Sequence, residues 1–515
     1  MMPLKLALPD YKLFPYERHL AEREIETLQL TILHRDEDHF LIEPPRQPSR
    51  LRRLTYVWSV GANGHSFSTD IARFETVHRE RRGRTAPRQA TRYHLHGLHE
   101  YKGKFNPQVV RAFANLLEVR EGDWLIDPFC GSGTALVEGL AIGGNTLGID
   151  RNPLAVFITH AKLAAWRTAR AEDLSRRLSR WIDEASPRIE RAQTTARRSR
   201  AGVAHLDHDS LGYLESWFDA SALAALSVAL ETASRLDRCA ARLLAKLAIS
   251  DIARAASLQL PEDLRVRRRS PDDPVPAVLP LLQEAATNII AALDELAMFP
   301  SRPRLTSLVV EGSASDPRSY RRLVRSSKRA AVVTSPPYAM ALPYIDTDRL
   351  SLVLLGLCPS SHLRRLEQAL YGSREWTTKE HAAWEERLRA TTQTLPADVV
   401  RLCRRVLDST QPDDGFRRRA TPGLLMRYFV SMQGSLVALR ASLRRGEQGV
   451  FIVGENKTRA DEDTITINTP ELLGSTAETA GFEVREILPL ETWPRFGLHH
   501  TNGIASESAV WLRAN

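Results

Sequence analysis

The chain has 515 residues and a mass of 57.9 kDa, which is more than one ordinary domain and predicts a core with one or two additions. No apolar run approaches the length of a membrane span, and residues 1–9 lack a signal-peptide core, so we expect a cytoplasmic protein without membrane contact. The formal charge of +9 and the isoelectric point near 9.5 favour a polyanionic partner.

The four cysteines are too widely separated in the sequence to suggest a metal site: they are Cys130, Cys239, Cys358 and Cys403. They form no ligand pair of the kind that zinc sites use, and their number fits a reducing compartment. We therefore expect no metal.

Residues 1–90 contain strand-like pieces at 39–43 and 54–60 and a helical piece at 16–30. This pattern predicts a small mixed α/β addition. A basic run that includes Arg82 and Arg84 ends it and is a candidate for contact with a nucleic-acid backbone.

The first part of the core, residues 91–153, contains a glycine-rich turn between a strand and a helix. Residues 124–134 read Trp-Leu-Ile-Asp-Pro-Phe-Cys-Gly-Ser-Gly-Thr, and the two glycines let a ligand approach the backbone near free helix N–H groups. A second strand at 145–150 ends in Asp150, 23 residues after Asp127 in the numbering. That spacing is expected when one βα unit carries a nucleotide and the next acid binds its ribose. The G-x-G-x-x-G spacing of hydride-transfer enzymes is absent.

Residues 154–305 form a first insertion, with leucines at helical spacing. It is far too long for a simple crossover between strands. Within it, residues 257–269 suggest a helix end and a proline turn, followed by four closely spaced arginines, Arg265, Arg267, Arg268 and Arg269. We expect target recognition here, although a helical cap over the sheet is an equally good interpretation of most of the insertion.

The next core segment, residues 306–360, has strands at 307–311 and 330–334, and the second strand runs into Ser335-Pro336-Pro337-Tyr338. The prolines lack backbone N–H donors and restrict the backbone, which leaves a rigid, acceptor-rich ledge. Such a ledge suits an amino group, and the tyrosine offers a face for stacking.

A second helical insertion covers residues 361–445, and residues 446–515 supply strands at 449–453, 482–488 and 508–513. Strands that alternate with helices in this way predict an α/β fold with a doubly wound, mostly parallel sheet. The last two strands would form an antiparallel pair at one edge.

The motifs together carry a family resemblance. Asp-Pro-Phe-Cys-Gly-Ser-Gly-Thr, then Gly-Ile-Asp, then Ser-Pro-Pro-Tyr resembles the S-adenosylmethionine-dependent amino-methyltransferases of DNA, and serine in the last motif is most like the cytosine-N4 branch. The resemblance implies a class I, Rossmann-like methyltransferase fold with large helical insertions, S-adenosyl-L-methionine as cofactor and double-stranded DNA as partner. Proteins with this motif order often serve bacterial restriction-modification or defence.

The resemblance also implies roles for individual residues. Asp127 would lie near the methionine amino group, Asp150 would bind the ribose, and either Ser313 or Asp316 would lie near the adenine, because Ser313 stands where the family often has an acid. The segment before the glycine turn would close the pocket. The remaining implied cofactor residues are Lys104, Phe105, Pro107, Pro128, Phe129, Cys130, Gly131, Ser132, Gly133 and Thr134.

The implied chemistry is methyl transfer to an amine of a flipped base. Ser335 Oγ and the Pro336 carbonyl would accept hydrogen bonds from the two N–H groups of the amine. These bonds would concentrate the nitrogen lone pair toward the sulfonium methyl. Tyr338 would stack on the base. No cysteine follows a proline, which argues against cytosine-C5 chemistry with its thiolate nucleophile.

Three other functions stay open. A guanine-N2 methyltransferase of transfer RNA has the same motif order, and adenine-N6 methylation of DNA uses the same amine-acceptor logic. A non-catalytic nucleic-acid-binding protein is the third. The sequence indicates neither the recognition site nor the oligomeric state.

Overall fold

The computed structural model describes most of the chain. The described residues are 3–45, 48–62, 65–83, 89–168, 173–195, 201–237, 240–263, 266–298, 305–339, 344–375, 377–390, 395–411, 413–460, 463–491 and 507–515. Within these ranges no helix is both long enough and apolar enough to cross a bilayer.

The N-terminal part folds into an antiparallel sheet in the order β2-β3-β1-β4-β5 with two helices. Helix α1 packs against α3 of the core, so this addition is attached to the core by helix contacts. Its elements are β1 (Leu4–Ala7), α1 (Pro15–Thr27), β2 (Ile32–Arg35), β3 (His39–Ile42), β4 (Ser59–Ala62), β5 (His65–Ser68) and α2 (Asp70–Arg81), and α3 (Pro107–Leu116) follows them.

The core then begins with β6 (Trp124–Asp127), α4 (Thr134–Ala141), β7 (Asn145–Asp150) and α5 (Pro153–Thr168). The first insertion forms a bundle in which α6, α8, α9 and α10 pack on one another and α5 packs on α9. Its helices are α6 (Leu174–Thr195), α7 (His208–Trp217), α8 (Ala220–Ser234), α9 (Ala240–Ala253) and α10 (Val278–Ala297).

The chain returns to the core through β8 (Ser307–Glu311), α11 (Arg321–Val324), β9 (Ala330–Thr334) and α12 (Tyr344–Leu354). The second insertion follows and leads into a long helix, with α13 (Leu363–Ala369), α14 (Thr378–Ala390), α15 (Ala397–Asp408) and α16 (Phe416–Arg440). The last elements are β10 (Gln448–Gly454), β11 (Asn456–Ala460), β12 (Asp463–Ile467), α17 (Thr469–Thr479), β13 (Phe482–Leu490) and β14 (Glu507–Ala514).

The central sheet has seven strands in the order β13-β14-β10-β9-β6-β7-β8. The strands from β10 to β8 are parallel to their neighbours, whereas β14 is antiparallel to both β10 and β13. The order reverses at β6, so this strand and β9 form the switch point at which open α/β sheets bind ligands. The structure thereby confirms the predicted Rossmann-like methyltransferase fold with its antiparallel edge pair and helical insertions.

Both faces of the sheet are covered, as a parallel sheet requires. On one face, α3, α4 and the N-terminal addition share a core with residues such as Leu125 and Val333. On the other face, α16 and α17 pack on residues such as Ile126 and Val332. The carboxyl ends of the strands are left for the site.

Candidate active site

Asp127 and Thr334 end the two central strands, β6 and β9, and meet at the carboxyl edge of the sheet. The Thr334 hydroxyl donates to Asp127 Oδ1 at 2.6 Å, and both side chains are buried. Because β6 and β9 are adjacent and parallel, the glycine turn and the Ser-Pro-Pro-Tyr segment start side by side. The two motifs, about two hundred residues apart in sequence, therefore belong to one site.

The glycine turn after β6 needs its glycines. Gly131 and Gly133 have φ values of +47° and +78°, in the left-handed region that disfavours other residues. A Cβ at Gly133 would lie 2.7 Å from Thr159 Oγ1, and one at Gly131 would lie 3.0 Å from a ring carbon of Tyr101. The turn thus keeps its backbone open toward the space above the strands.

Two side chains of helix α5 form hydrogen bonds with the backbone of this turn. Thr159 Oγ1 donates to the Gly131 carbonyl and Lys162 Nζ donates to the Ser132 carbonyl, both at 2.8 Å. Lys162 is fully buried, and burial lowers its pKa to about 7. These two bonds fix carbonyls of the turn, while the Gly131 N–H donates to Asp150 Oδ2 and the Gly133 N–H to the Cys130 carbonyl, both at 2.8 Å.

Two carboxylates line the same region. Burial raises the pKa of Asp127 to about 7, opposed by hydrogen bonds from Thr334 and from the Phe129 N–H. Burial also raises the pKa of Asp150, whose oxygens accept from the N–H groups of Gly131 at 2.8 Å and Asn152 at 2.9 Å. Asp150 therefore ties the second strand to the glycine turn.

One cleft connects the two motifs. Its space of about 620 Å³, part of which is open to solvent, reaches from the glycine turn to the proline ledge. Its walls include Gly131 and Asp150 on one side and Ser335 and Pro337 on the other. The other lining residues are Tyr101, Lys102, Gly103, Pro128, Phe129, Arg151, Asn152, Gly312, Ala314, Leu370 and Tyr371.

Tyr371, which the sequence motifs did not indicate, closes the cleft from the second insertion. Its ring lies edge-on to Phe129 with centroids 5.1 Å apart, and the Arg151 guanidinium lies 5.4 Å from the ring centroid. Its hydroxyl is within hydrogen-bonding distance of the Ser435 hydroxyl at 2.8 Å. The second insertion therefore contributes directly to the site.

A hydrogen bond between Asn152 and Asp348 is a second feature of the site that the sequence motifs did not indicate. Asn152 Nδ2 donates to Asp348 Oδ2 at 2.7 Å, which joins the loop after β7 to helix α12. Burial raises the pKa of Asp348 to about 7, opposed mainly by the bond from Asn152. Asp348 is thus a link between the cleft and the helix that follows the proline motif.

The segment before the glycine turn lies beside the cleft, but different residues line it from those predicted. Tyr101, Lys102 and Gly103 reach the cleft, whereas Lys104 and Phe105 are outside its lining. Lys104 donates to the His96 carbonyl, and burial sets its pKa well below the usual range. Phe105 packs against the core beside α3, and Pro107 is buried at the first position of that helix.

Within the turn itself, Cys130, Ser132 and Thr134 are buried. Cys130 faces away from the cleft, because a Cβ at Gly148 would lie 2.8 Å from its Sγ. Among the residues that the structure describes, none forms a hydrogen bond with the buried Ser132 hydroxyl. Of the predicted turn residues, Pro128, Phe129 and Gly131 contribute to the wall of the cleft.

The two candidates for the adenine contact differ in position. Ser313 Oγ accepts from Arg151 at 2.8 Å and lies 3.2 Å from the Tyr371 hydroxyl, next to the cleft wall. Asp316 instead caps the following 3₁₀ helix and pairs with Arg318 at 2.8 Å. Ser313 is the better placed of the two.

Ser335 and Pro337 face the cleft and Pro336 is buried, but Tyr338 turns aside. The Tyr338 hydroxyl donates to Glu507 Oε1 at 2.6 Å, and its ring is partly buried against the core beneath α16. The tyrosine is consequently fixed at the side of the ledge.

The arginines predicted to contact nucleic acid differ in their exposure and in their hydrogen bonds. Arg267 has a side chain that is 71% exposed, paired with Asp263 at 3.5 Å. Arg268 donates to the Ser216 carbonyl, and Arg269 donates to the carbonyls of Ala255 and Ser257 at 3.1 Å, so Arg269 anchors its own turn. Arg82 is exposed at the end of α2, and Arg84 and Arg265 lie outside the described residues. The nucleic-acid role of these arginines stays a prediction.

A buried polar network lies behind the glycine turn. The ligating atoms of His94, His96 and Glu138 lie within 4.8 Å of one another, a spacing that a metal ion can use. The Glu138 carboxylate, however, already accepts from Arg111 Nε at 2.6 Å and lies 2.7 Å from His96 Nε2. Because a buried guanidinium would repel a cation, we assign these residues to structural support.

Comparison with known proteins agrees with this geometry. Residues 98–206 match the family model described as UPF0020: RMKL-like, methyltransferase domain. The matched segment contains the glycine turn and Asp150 and ends before the proline motif. The match and the fold together define a methyltransferase domain.

Several curated proteins are similar over short stretches. The Type II methyltransferase M.MjaII of Methanocaldococcus jannaschii is 49% identical over 70 residues, 14% of this chain and 13% of that protein. A tRNA (guanine(10)-N2)-dimethyltransferase of the same organism is 42% identical over 62 residues, 12% of this chain and 17% of that protein. The Type II methyltransferase M.AvaI of Nostoc is 28% identical over 165 residues, 31% of this chain and 32% of that protein. The chain thus spans less than a third of the length of each relative.

Among solved structures, the rRNA methyltransferase aviRa from Streptomyces viridochromogenes aligns over 81% of this chain and 88% of its own. The identity is 12% and the TM-score 0.28, which is too low to support an argument.

The chain's residues fit S-adenosylmethionine, the methyl donor that this fold and domain imply. The glycine turn lacks the Cβ atoms that would crowd a ligand, Asp150 stands at the tip of the second strand, and Tyr371 offers an aromatic wall. Asp150, in the cleft wall, would offer an acceptor to ribose hydroxyls, whereas the buried Asp127 lies outside the lining of the cleft. When bound, the cofactor would supply the electrophilic methyl group.

Proposed function

We propose that the protein is a DNA methyltransferase that transfers a methyl group from S-adenosylmethionine to the N4 amine of cytosine in duplex DNA. The observation that supports this is the single cleft shared by Gly131 and Asp150 with Ser335 and Pro337. A donor held over the glycine turn and an amine held at the ledge would occupy the same space.

The ledge can prepare an amine for attack. The lone pair of the cytosine amine is delocalised into the ring, so acceptors must draw its N–H bonds out of the ring plane. Ser335 Oγ and the Pro336 carbonyl provide two acceptors beside each other, and the prolines hold them rigidly. The methylated amine loses its proton readily, so no strong base is required.

Tyr338 serves this reaction from a fixed position. Its bond to Glu507 holds the ring at the side of the ledge, and stacking on a flipped base there is part of this proposal. Aromatic stacking on a base contributes about 1–3 kcal/mol. A base in the cleft must leave its duplex, so recognition depends on the insertions.

A second candidate is methylation of the N2 amine of guanine in transfer RNA. One similar stretch belongs to a tRNA (guanine(10)-N2)-dimethyltransferase, and the ledge would accept either exocyclic amine. Two other similar stretches belong to Type II methyltransferases, and serine at position 335 favours cytosine in the resemblance. We therefore place cytosine in DNA first.

The decisive experiment is transfer of labelled methyl from S-adenosylmethionine to genomic DNA and, separately, to total transfer RNA, followed by nucleoside mass spectrometry. We expect N4-methylcytosine, lost in Ser335→Ala and retained in the control Ser221→Ala, whose serine lies on the surface of the first insertion. Label found only as N2-methylguanine in transfer RNA would replace the proposal with the second candidate. Label as N6-methyladenine would keep the mechanism and change the base.

A further inference from the structure

The indole of Trp217, at the end of α7, is flanked by arginine side chains. The guanidinium of Arg268 lies 5.2 Å from the indole and that of Arg349 lies 5.7 Å from it. Arg349 also lies 5.1 Å from the ring of Tyr213, whose hydroxyl accepts its Nε–H. We call Tyr213, Trp217, Arg268 and Arg349 the aromatic platform.

A hairpin of the first insertion holds the platform in place. Leu258 pairs across it with Arg269, and Leu260 with Arg267, through backbone bonds of 2.9 and 2.8 Å. The Leu258 N–H also donates to the Trp217 carbonyl at 2.8 Å. Arg268 therefore lies on a segment that is paired with residues 258–260 and bonded to the end of α7.

The platform lies next to the active site, since Arg349 belongs to α12. One residue earlier, Asp348 bonds to Asn152 in the wall of the cleft. From the hairpin, Gln259 donates to the Asp346 carbonyl at 3.4 Å, and the charge of Asp346 also acts on the Tyr213 hydroxyl. Helix α12 therefore joins the platform to the wall of the cleft.

The composition of the platform fits one kind of partner. Tyr213 and Trp217 are half-buried, while Arg268 is exposed, and the exposed side chain of Arg267 stands beside it. Flat aromatic faces with guanidinium groups beside them bind unstacked bases and their phosphates. An acidic peptide would form ion pairs with the arginines, but its carboxylates would not stack on the rings.

We propose that the aromatic platform binds a base and phosphate of the nucleic-acid substrate next to the target nucleotide. This inference rests on the proposed function for the identity of the substrate, but binding alone is enough to test it. It assigns Trp217 and Arg349, which no motif indicated, to substrate binding and gives Arg268 a stacking role instead of a free phosphate contact.

The test measures binding by fluorescence anisotropy, with fluorescein-labelled random-sequence duplex DNA and labelled transfer RNA as the probes. Trp217→Leu keeps an apolar side chain but removes the stacking face, and we expect it to weaken binding roughly 5- to 150-fold. Trp217→Phe should restore most of the affinity. S-adenosylmethionine binding, measured by calorimetry, should be unchanged.

The matched control is Trp511→Leu. Trp511 is a half-buried tryptophan of β14 with the Arg23 guanidinium 5.1 Å from its ring, so it has the same chemistry outside the first insertion. Its replacement should leave nucleic-acid affinity unchanged. Equal loss in both variants, or no loss in Trp217→Leu, would overturn the platform.

If Trp217→Leu melts at a much lower temperature than the wild type, the binding test uses the variant Arg268→Gln instead. That variant removes an exposed guanidinium and should weaken binding in the same way, and unchanged affinity there also overturns the inference. Wild-type protein that binds nucleic acid at the platform but methylates none would contradict the proposed function alone. Wild-type protein that binds neither probe would contradict the platform.

Discussion

Tyr338 donates its hydroxyl hydrogen to Glu507 Oε1 at 2.6 Å, and this bond joins the proline motif to the first residue of the last strand. The strand pairs with β10, which in turn pairs with β9, the strand that ends in the motif. The aromatic ring is therefore oriented by the sheet itself. Its position is prepared before a substrate arrives.

Tyr338→Phe keeps the ring and removes its anchor. We expect turnover of methyl transfer to fall about tenfold, because a hydrogen bond to a charged group is worth about 1.5–3 kcal/mol and only part of it is spent on orientation. Affinity for S-adenosylmethionine should not change. Glu507→Gln keeps an acceptor oxygen, so its turnover should fall less. A loss of S-adenosylmethionine affinity in Tyr338→Phe would instead place the tyrosine in the cofactor half of the site.

Gly133→Ala should abolish cofactor binding. The substitution places a Cβ 2.7 Å from Thr159 Oγ1 at a φ of +78°, so the turn must shift or unfold locally. Calorimetry with S-adenosylmethionine measures the loss. The control is Gly212→Ala in α7, where a Cβ meets nothing within 4 Å and the helix should gain up to about 1 kcal/mol. Wild-type cofactor affinity in Gly133→Ala would contradict the assigned turn.

The buried carboxyl of Asp127 should make stability depend on pH. Burial raises its pKa from the usual 3.8 to about 7 in the folded protein, so the folded state holds a proton that the unfolded chain has released. The free energy of unfolding should therefore fall as pH rises from about 4 to about 7, by up to about 1.4 kcal/mol per pH unit from this group.

Asp127→Asn removes that titration, so its melting temperature should decline less than that of the wild type between pH 5 and 8. Asp316→Asn serves as control, because hydrogen bonds from Arg318 lower the pKa of Asp316 and place its titration below this window. Parallel curves for wild type and Asp127→Asn would mean that Asp127 is ionised throughout.

Tyr371→Ala should weaken S-adenosylmethionine binding by roughly tenfold or more, because it removes an aromatic wall of the cleft that packs edge-on against Phe129. Tyr371→Phe keeps the wall and loses the bond to Ser435, so it should bind nearly as the wild type does. Equal affinity of Tyr371→Ala and wild type would place the cofactor elsewhere.

The sheet was largely predictable from the sequence because buried parallel strands are short apolar runs that end in recognisable turns. The strands predicted at residues 307–311 and 330–334 have the same bounds in the structure as β8 and β9. The meeting of Gly131 with Ser335 was predictable for the same reason, since carboxyl ends of neighbouring parallel strands share an edge.

Tyr371 and the bond between Asn152 and Asp348 could not be predicted in the same way. Both depend on how helices pack beside the motifs, which leaves no local pattern in the sequence. The arginines of the 257–269 hairpin show a related limit. They are closely spaced and identical in type, but folding distinguishes Arg269, which anchors its own segment, from the exposed Arg267.

The central claim is spatial: a methyl donor over the glycine turn faces an amine held at the proline ledge. A crystal structure with sinefungin, an analogue that carries an amine in place of the sulfonium methyl, tests it most directly. The account predicts the analogue in the cleft, its ribose at Asp150 and its amine directed toward Ser335. An analogue bound outside the cleft, or one whose amine faces away from Ser335 and Pro336, would contradict the account.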